Sequence, residues 1–143
     1  LTTITKKVHE LGLKYIIKGI MCVQDAKIAV DCGADAVLVS NHGGRVLDYT
    51  PGAADVLSEI AQAVGKQVVI MADGGIRTGA DVLKMLALGA KAVLICRPAA
   101  IAVHGDEEKG LIKYLGNIKT QLIHSMRMTG CSDLSSIRAE ILI

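Results

Sequence analysis

Apolar residues in this chain fall into two alternating patterns. Four short runs are almost continuously apolar: Tyr15–Ile17, Ala36–Val39, Val68–Met71 and Ala92–Ile95. Such runs predict parallel strands covered on both faces, because a half-exposed antiparallel strand alternates apolar with polar. Between them, apolar positions recur at helical spacing. Thr2–Leu11 predicts a helix ahead of the first strand. Gln24–Cys32 carries Ala26, Ile28, Ala29, Val30 and Cys32 on its apolar positions, Ala53–Val64 carries Val56, Leu57, Ile60, Ala61 and Val64, and Gly79–Leu88 carries Val82, Leu83, Leu86 and Ala87. These three segments stop at Gly33, Gly65 and Gly89, where the residue after a helix takes positive φ. Gly110–Met128 predicts a longer final helix with Leu111, Ile112, Leu115, Ile118, Leu122 and Met126 turned inward.

An internal echo supports this order. The stretches starting at Gly33 (Gly-Ala-Asp-Ala-Val-Leu-Val) and at Gly89 (Gly-Ala-Lys-Ala-Val-Leu-Ile) match at five of seven positions, 56 residues apart. That offset spans two βα units of about 28 residues each, the repetition expected of a (β/α) barrel. A full eight-stranded barrel needs roughly 200 residues or more, and this chain has 143. Four parallel βα units plus a preceding helix therefore predict an α/β fold, half of a TIM (β/α)8 barrel, as one domain over residues 1–143.

Composition narrows the class. Hydrophobic residues make up 51% and charged residues 21%, which excludes disorder. The aromatics are three Tyr only, so the core is aliphatic and the surface lacks the stacking platforms of single-strand nucleic-acid binders. The formal net charge of +2 is interspersed, with no basic stripe for nucleic acid or anionic membrane. Cys22, Cys32, Cys96 and Cys131 form no CxxC pair and have no His at zinc spacing. They read as buried small hydrophobes of a reduced protein, and no metal site is expected. No apolar run reaches the roughly 18 residues of a membrane span. A soluble, cytoplasmic protein is the expectation.

Polar loops follow the strands and should converge on one rim, because parallel α/β folds place their chemistry at the carboxyl ends of strands. Lys18-Gly19 follows the first run, Ser40-Asn41-His42-Gly43-Gly44-Arg45 the second, Asp73-Gly74-Gly75-Ile76-Arg77 the third and Cys96-Arg97-Pro98 the fourth. A lone Lys18 would read as a snorkelling surface residue, and a lone His42 as structural. Flanked by Gly43-Gly44 and followed by Arg45, His42 instead reads as a proton acceptor beside an anion-holding guanidinium. The Asp73–Arg77 loop, with a helix starting at Thr78 or Gly79, exposes backbone N–H groups to a phosphate. Arg77 and Arg97 add bidentate contacts. Asp48 and Asp55 read as turn or cap residues, Asp25 and Asp81 as first-turn helix stabilisers. No role is assigned to His9, His104 or His124.

Tyr15–Ile20, Ser40–Arg45 with Leu47-Asp48, and Asp73–Arg77 continuing through Gly79-Ala-Asp-Val-Leu-Lys resemble the FMN-dependent α-hydroxy acid dehydrogenases and oxidases, the glycolate oxidase and lactate oxidase family. The likeness runs from about Lys14 to Ile137 and covers only the C-terminal half of that family's barrel. It implies FMN as cofactor and oxidation of a small 2-hydroxy acid, of lactate or glycolate type, to the 2-oxo acid. It implies Lys18 beside flavin N1 and O2, where a cation stabilises the reduced ring. His42 is implied as the active-site base and Arg45 as the partner of the substrate carboxylate. Ser40, Asp73, Gly74, Gly75, Arg77, Cys96 and Arg97, with Lys18 and His42, line the implied flavin site.

Two departures stand out. Cys96 replaces the family's usual Gly before Arg97-Pro98, adding a Cβ and sulfur that either crowd the phosphate or tilt the loop. Small Ala99-Ala100 follow where the family often has aromatics. The family's substrate tyrosines, the acidic partner of its catalytic His and a second substrate arginine belong to strands outside this chain. The expectation is therefore a fragment or one piece of a longer polypeptide. Its exposed sheet edges would be covered by an N-terminal half-barrel or by a second copy in a homo-oligomer. The alternatives are a half-barrel that binds FMN or another phosphate ligand without turnover, and another phosphate-binding barrel enzyme such as a type 2 isopentenyl-diphosphate isomerase or an IMP dehydrogenase relative.

Overall fold

Four parallel strands form one sheet in chain order: β1 (Ile16–Ile20), β2 (Ala36–Val39), β3 (Val69–Asp73) and β4 (Ala92–Leu94). The computed structural model describes residues 1–142. Helix α1 (Thr2–Glu10) precedes β1; α2 (Val23–Asp31), α3 (Ala53–Val64) and α4 (Gly79–Ala87) connect the strands, and α5 (Arg97–Met128) follows β4. This is the layout expected of a half-barrel. The predicted elements are all present, most within two residues of their expected ends.

Helices cover one face of the sheet only, which corrects the two-sided expectation; on the other face the central strand keeps Ala36 and Leu38 buried between their neighbours. Crossovers of one hand between successive neighbouring strands put every helix on the same side. Ile17, Val37, Val39, Ile70, Ala72 and Val93 point to the helices and join Leu57, Ile60, Val64, Val82 and Met85 in the core. On the opposite face Ile16 and Val69 remain 47% and 48% exposed. An apolar run thus records two kinds of surface, one against helices and one against the interior of a barrel.

The helices start and stop for local reasons. Thr78 caps α4, accepting from Asp81 N at 3.2 Å while the Asp81 carboxylate accepts from Thr78 N at 2.9 Å. Asp55 accepts from Gly52 N at 2.7 Å ahead of α3, and Asp25 stands in the first turn of α2, as expected. Gly33 and Gly89 end their helices at φ +83° and +109°. Gly65 does not: it keeps a helical φ of −65°, and its need for glycine is steric, since a Cβ would lie 2.5 Å from the Ala61 carbonyl oxygen.

Two expectations about side-chain burial also change. Only Cys131 of the four free cysteines is buried; Cys22 and Cys96 are exposed because they stand at helix starts. The final helix begins at Arg97 rather than Gly110 and is broken at Asp106-Glu107, where Glu107 takes φ +44°. Of its expected inward residues, Ile118 is buried but Ile112 and Leu115 are exposed. Its main neighbour is α4, which covers a narrower stripe than the periodicity offered.

His9, assigned no role from sequence, belongs to a latch under the sheet. His9 Nε2 lies 2.7 Å from Asp35 Oδ2, Lys14 Nζ donates to Oδ1 at 2.8 Å, and Tyr15 N donates to Oδ2 at 2.9 Å. α1, the start of β1 and the residue before β2 are thereby tied together. Hydrogen bonds from Lys14, then from the Tyr15 backbone and His9, hold the Asp35 carboxyl far below its ordinary value of 3.8. A depressed carboxyl contributes stability above its ordinary pKa and loses it as pH falls toward the lowered one. Asp35→Asn is therefore expected to lower the thermal midpoint at pH 7, with the deficit shrinking below about pH 4. A deficit that stays constant on acidification would break this account.

Candidate functional site

β1 carries an irregularity that decides where its side chains go. Ile17 and Lys18 pair with Val37 and Leu38, but Ile20 pairs with Val39, leaving Gly19 as an extra residue at φ +96°. This bulge lets Lys18 face the open side of the sheet while Ile20 still turns into the core. Lys18 and Gly19 are thus part of the strand, not of a loop following it.

On that open side Lys18 Nζ donates to Ser40 Oγ at 2.8 Å and pairs closely with Asp73 Oδ2. Ser40, 2% exposed, sits just past β2, and its hydroxyl accepts from His42 N at 3.1 Å. The ends of β1, β2 and β3 are thereby joined by one polar chain. Asp73 Oδ1 is buried and, among the described residues, has no hydrogen-bond partner.

His42 adopts φ +58°, a left-handed conformation that costs a non-glycine residue energy. Gly43 and Gly44 continue the same handedness at +68° and +72°. Asn41 braces the turn: its Oδ1 accepts from Gly44 N at 3.2 Å and its Nδ2 donates to the Pro51 carbonyl at 3.1 Å. Arg45 lies 3.3 Å from His42 Nε2. A guanidinium only donates, so in this contact Nε2 offers its lone pair. Arg97, the first residue of α5, closes the group: a Cβ on Gly43 would lie 3.2 Å from its guanidinium.

The structure thus brings together Lys18, Ser40, His42, Arg45, Asp73 and Arg97, with Gly74 and Gly75 following Asp73 at φ +93° and +73°. It does not bring in every expected residue. The Arg77 side chain is exposed and, among the described residues, bonds to none of this group. Cys96 is exposed at the start of α5, and its negative φ of −111° is not one that calls for glycine.

The start of α4 also differs from a bare anion site. Arg77 N and Thr78 N donate to Asp81 Oδ2 at 3.1 and 2.9 Å, and Gly79 N donates to Gln121 Oε1 at 2.9 Å. Burial raises the Asp81 carboxyl, but these bonds, the Thr78 hydroxyl and Lys84 outweigh it and hold it below its ordinary value. The amides of Gly74, Gly75 and Ile76 make no hydrogen bond within the described residues. Those amides, rather than the first turn of α4, are the loop's free donors. Tyr114 and Gln121, which support the loop from α5, had no local signal in the sequence. A cavity of about 640 Å³ lies away from this group, between α4 and the end of α5, whereas one of about 340 Å³ borders the loop itself, lined by Gly74, Gly75 and Ile76 together with Asp81, Lys84 and Leu88.

A family model described as FMN-dependent dehydrogenase matches residues 2–143. The chain is 47% identical over 127 residues to an L-lactate dehydrogenase of Caulobacter vibrioides, covering 89% of this chain and 33% of that protein. It is 42% identical over 125 residues to a peroxisomal (S)-2-hydroxyacid oxidase of Arabidopsis thaliana, covering 87% and 34%. A solved mandelate oxidase with benzoyl-formic acid superposes at TM-score 0.85 with 41% identity, covering 88% of this chain and 38% of that one. A Pediococcus acidilactici protein named as a lactate oxidase superposes at 0.91 with 36% identity, covering 96% and 38%. The chain spans about a third of the length of the curated relatives it matches.

Proposed function

The chain belongs to the FMN-dependent dehydrogenase family, and from that premise we propose that it carries the proton-transfer and phosphate side of an enzyme oxidising a small 2-hydroxy acid to its 2-oxo acid. The observation that carries this reading is the polar chain from Asp73 through Lys18 and Ser40 to His42, with Arg45 and Arg97 beside it.

The residues suit FMN. The unpartnered Asp73 Oδ1 is an acceptor for a ribityl hydroxyl. Gly75 has open space where a Cβ would stand, so a phosphate can approach the free amides, with Arg77 and Arg97 as counter-charges. Lys18, about half exposed, is the cation for the flavin ring's electron-rich edge. FMN, when bound, supplies the two-electron acceptor for the substrate's α-carbon. Arg45 holds the substrate carboxylate, and its guanidinium orients the His42 ring. His42 takes a proton from the hydroxy acid at Nε2 as the α-carbon is oxidised. Ser40 fixes the His42 backbone, so the imidazole stays at the mouth.

Relatives are named for lactate, 2-hydroxy acids and mandelate; a substrate of that class is what Arg45 and His42 would take. The open sheet face and the free edges of β1 and β4 suit an N-terminal half-barrel or a second copy. The test is to load the protein with FMN and add lactate, glycolate or mandelate without oxygen. Bleaching of the flavin absorbance, with sedimentation reporting the assembled state, supports the reading. Flavin that binds but never bleaches with any 2-hydroxy acid leaves a binding module instead.

A further inference from the structure

The Gly74–Thr78 loop is held from behind by the last helix. The Tyr114 hydroxyl donates to the Arg77 carbonyl at 3.1 Å, and Gln121 Oε1 accepts from Gly79 N at 2.9 Å. Tyr114, Ile118 and Gln121 stand four and three residues apart, on one face of α5. Ile118, buried between the two polar groups, packs into the core. Contact is close because α4 begins with Gly79, whose position leaves no room for a side chain.

We propose that Tyr114 and Gln121 are positioning residues for the phosphate end of the cofactor. They fix the Arg77 carbonyl and the Gly79 amide, so the loop's free amides and the Arg77 guanidinium keep one orientation. The inference rests on the FMN reading above and deepens it. The loop needs outside support because Gly74 and Gly75, both left-handed, are its least restrained residues. The Asp81 cap fixes the amides of Arg77 and Thr78, but the Arg77 carbonyl and the Gly79 amide take their partners from α5. Burial, then the Asp81 charge, raises the Tyr114 hydroxyl above its ordinary value against the opposing pull of Arg77, so the group stays a donor at neutral pH.

The experiment compares binding of FMN with binding of riboflavin, which lacks the phosphate, by flavin fluorescence. Tyr114→Phe removes one oxygen and is expected to weaken FMN about tenfold while changing riboflavin by less than about twofold. Gln121→Leu is expected to weaken FMN by at least as much, and Gln121→Glu, which keeps an acceptor, to restore it. Melting curves check that each variant is folded; Tyr114→Phe, the smallest change, carries the test if Gln121→Leu is not. Equal weakening of both flavins, or no change in either, overturns the positioning role. An unsubstituted protein that binds FMN no better than riboflavin, or binds neither, overturns the cofactor reading and this inference with it.

Discussion

His42→Asn is expected to leave FMN binding intact and to slow anaerobic bleaching by a 2-hydroxy acid by about 10²- to 10⁴-fold. Asparagine suits the test better than alanine because His42 stands at φ +58°, a region asparagine tolerates. The loop should therefore survive, with Ser40 still accepting from the backbone amide at position 42 and Asn41 still bracing Gly44. What is lost is the lone pair at Nε2. Among the described residues no second imidazole stands there: Lys18 and the Asp73 carboxylate are paired with each other, and His9 lies under the sheet on Asp35. Arg45 only donates. The quantity to follow is the rate of flavin reduction under saturating substrate, with the FMN dissociation constant measured in parallel. A rate within a few-fold of the unsubstituted protein would assign the proton transfer to another group.

Local chemistry made the mouth of this fold legible. The Ser40–Arg45 and Asp73–Arg77 segments each follow an apolar run, and glycine pairs within them mark backbone turned outward for a purpose. Helix boundaries were equally readable where a cap is short-range, as at Thr78 with Asp81. The features that escaped depend on partners far along the chain. Gly19 reads with Lys18 as a loop after the first strand, yet it is a bulge within that strand that rotates Lys18 and Ile20 to opposite faces. Asp35 carries no local signal, yet it gathers His9, Lys14 and the Tyr15 amide from up to 26 residues away. The uncovered sheet face was hidden for a related reason. Apolarity says that a side chain avoids water, not whether a helix or a barrel interior provides the shelter.

Gly79→Ala is expected to destabilise the fold by at least about 3 kcal/mol, lowering the thermal midpoint by about 10 °C. Nothing about Gly79's own backbone forbids alanine, and in an ordinary helix the change would be favourable. The cost comes from α5. A Cβ at residue 79 would stand 2.1 Å from Leu122 N, 2.5 Å from the Ile118 carbonyl oxygen and 2.6 Å from the Gln121 carbonyl carbon. All three are backbone atoms inside a helix and cannot rotate aside, so α4 and α5 must separate. Separation would break the Gly79–Gln121 bond and strain the Tyr114–Arg77 bond, exposing the core around Ile118 and Val82. Gly116→Ala on the same helix is the internal control. Its Cβ would meet nothing within 4 Å, so it is expected to stabilise by about 0.5–1 kcal/mol through helix propensity alone. Calorimetry on the two variants separates the causes. If both shift the midpoint in the same direction, close packing of α4 on α5 is not what requires glycine at position 79.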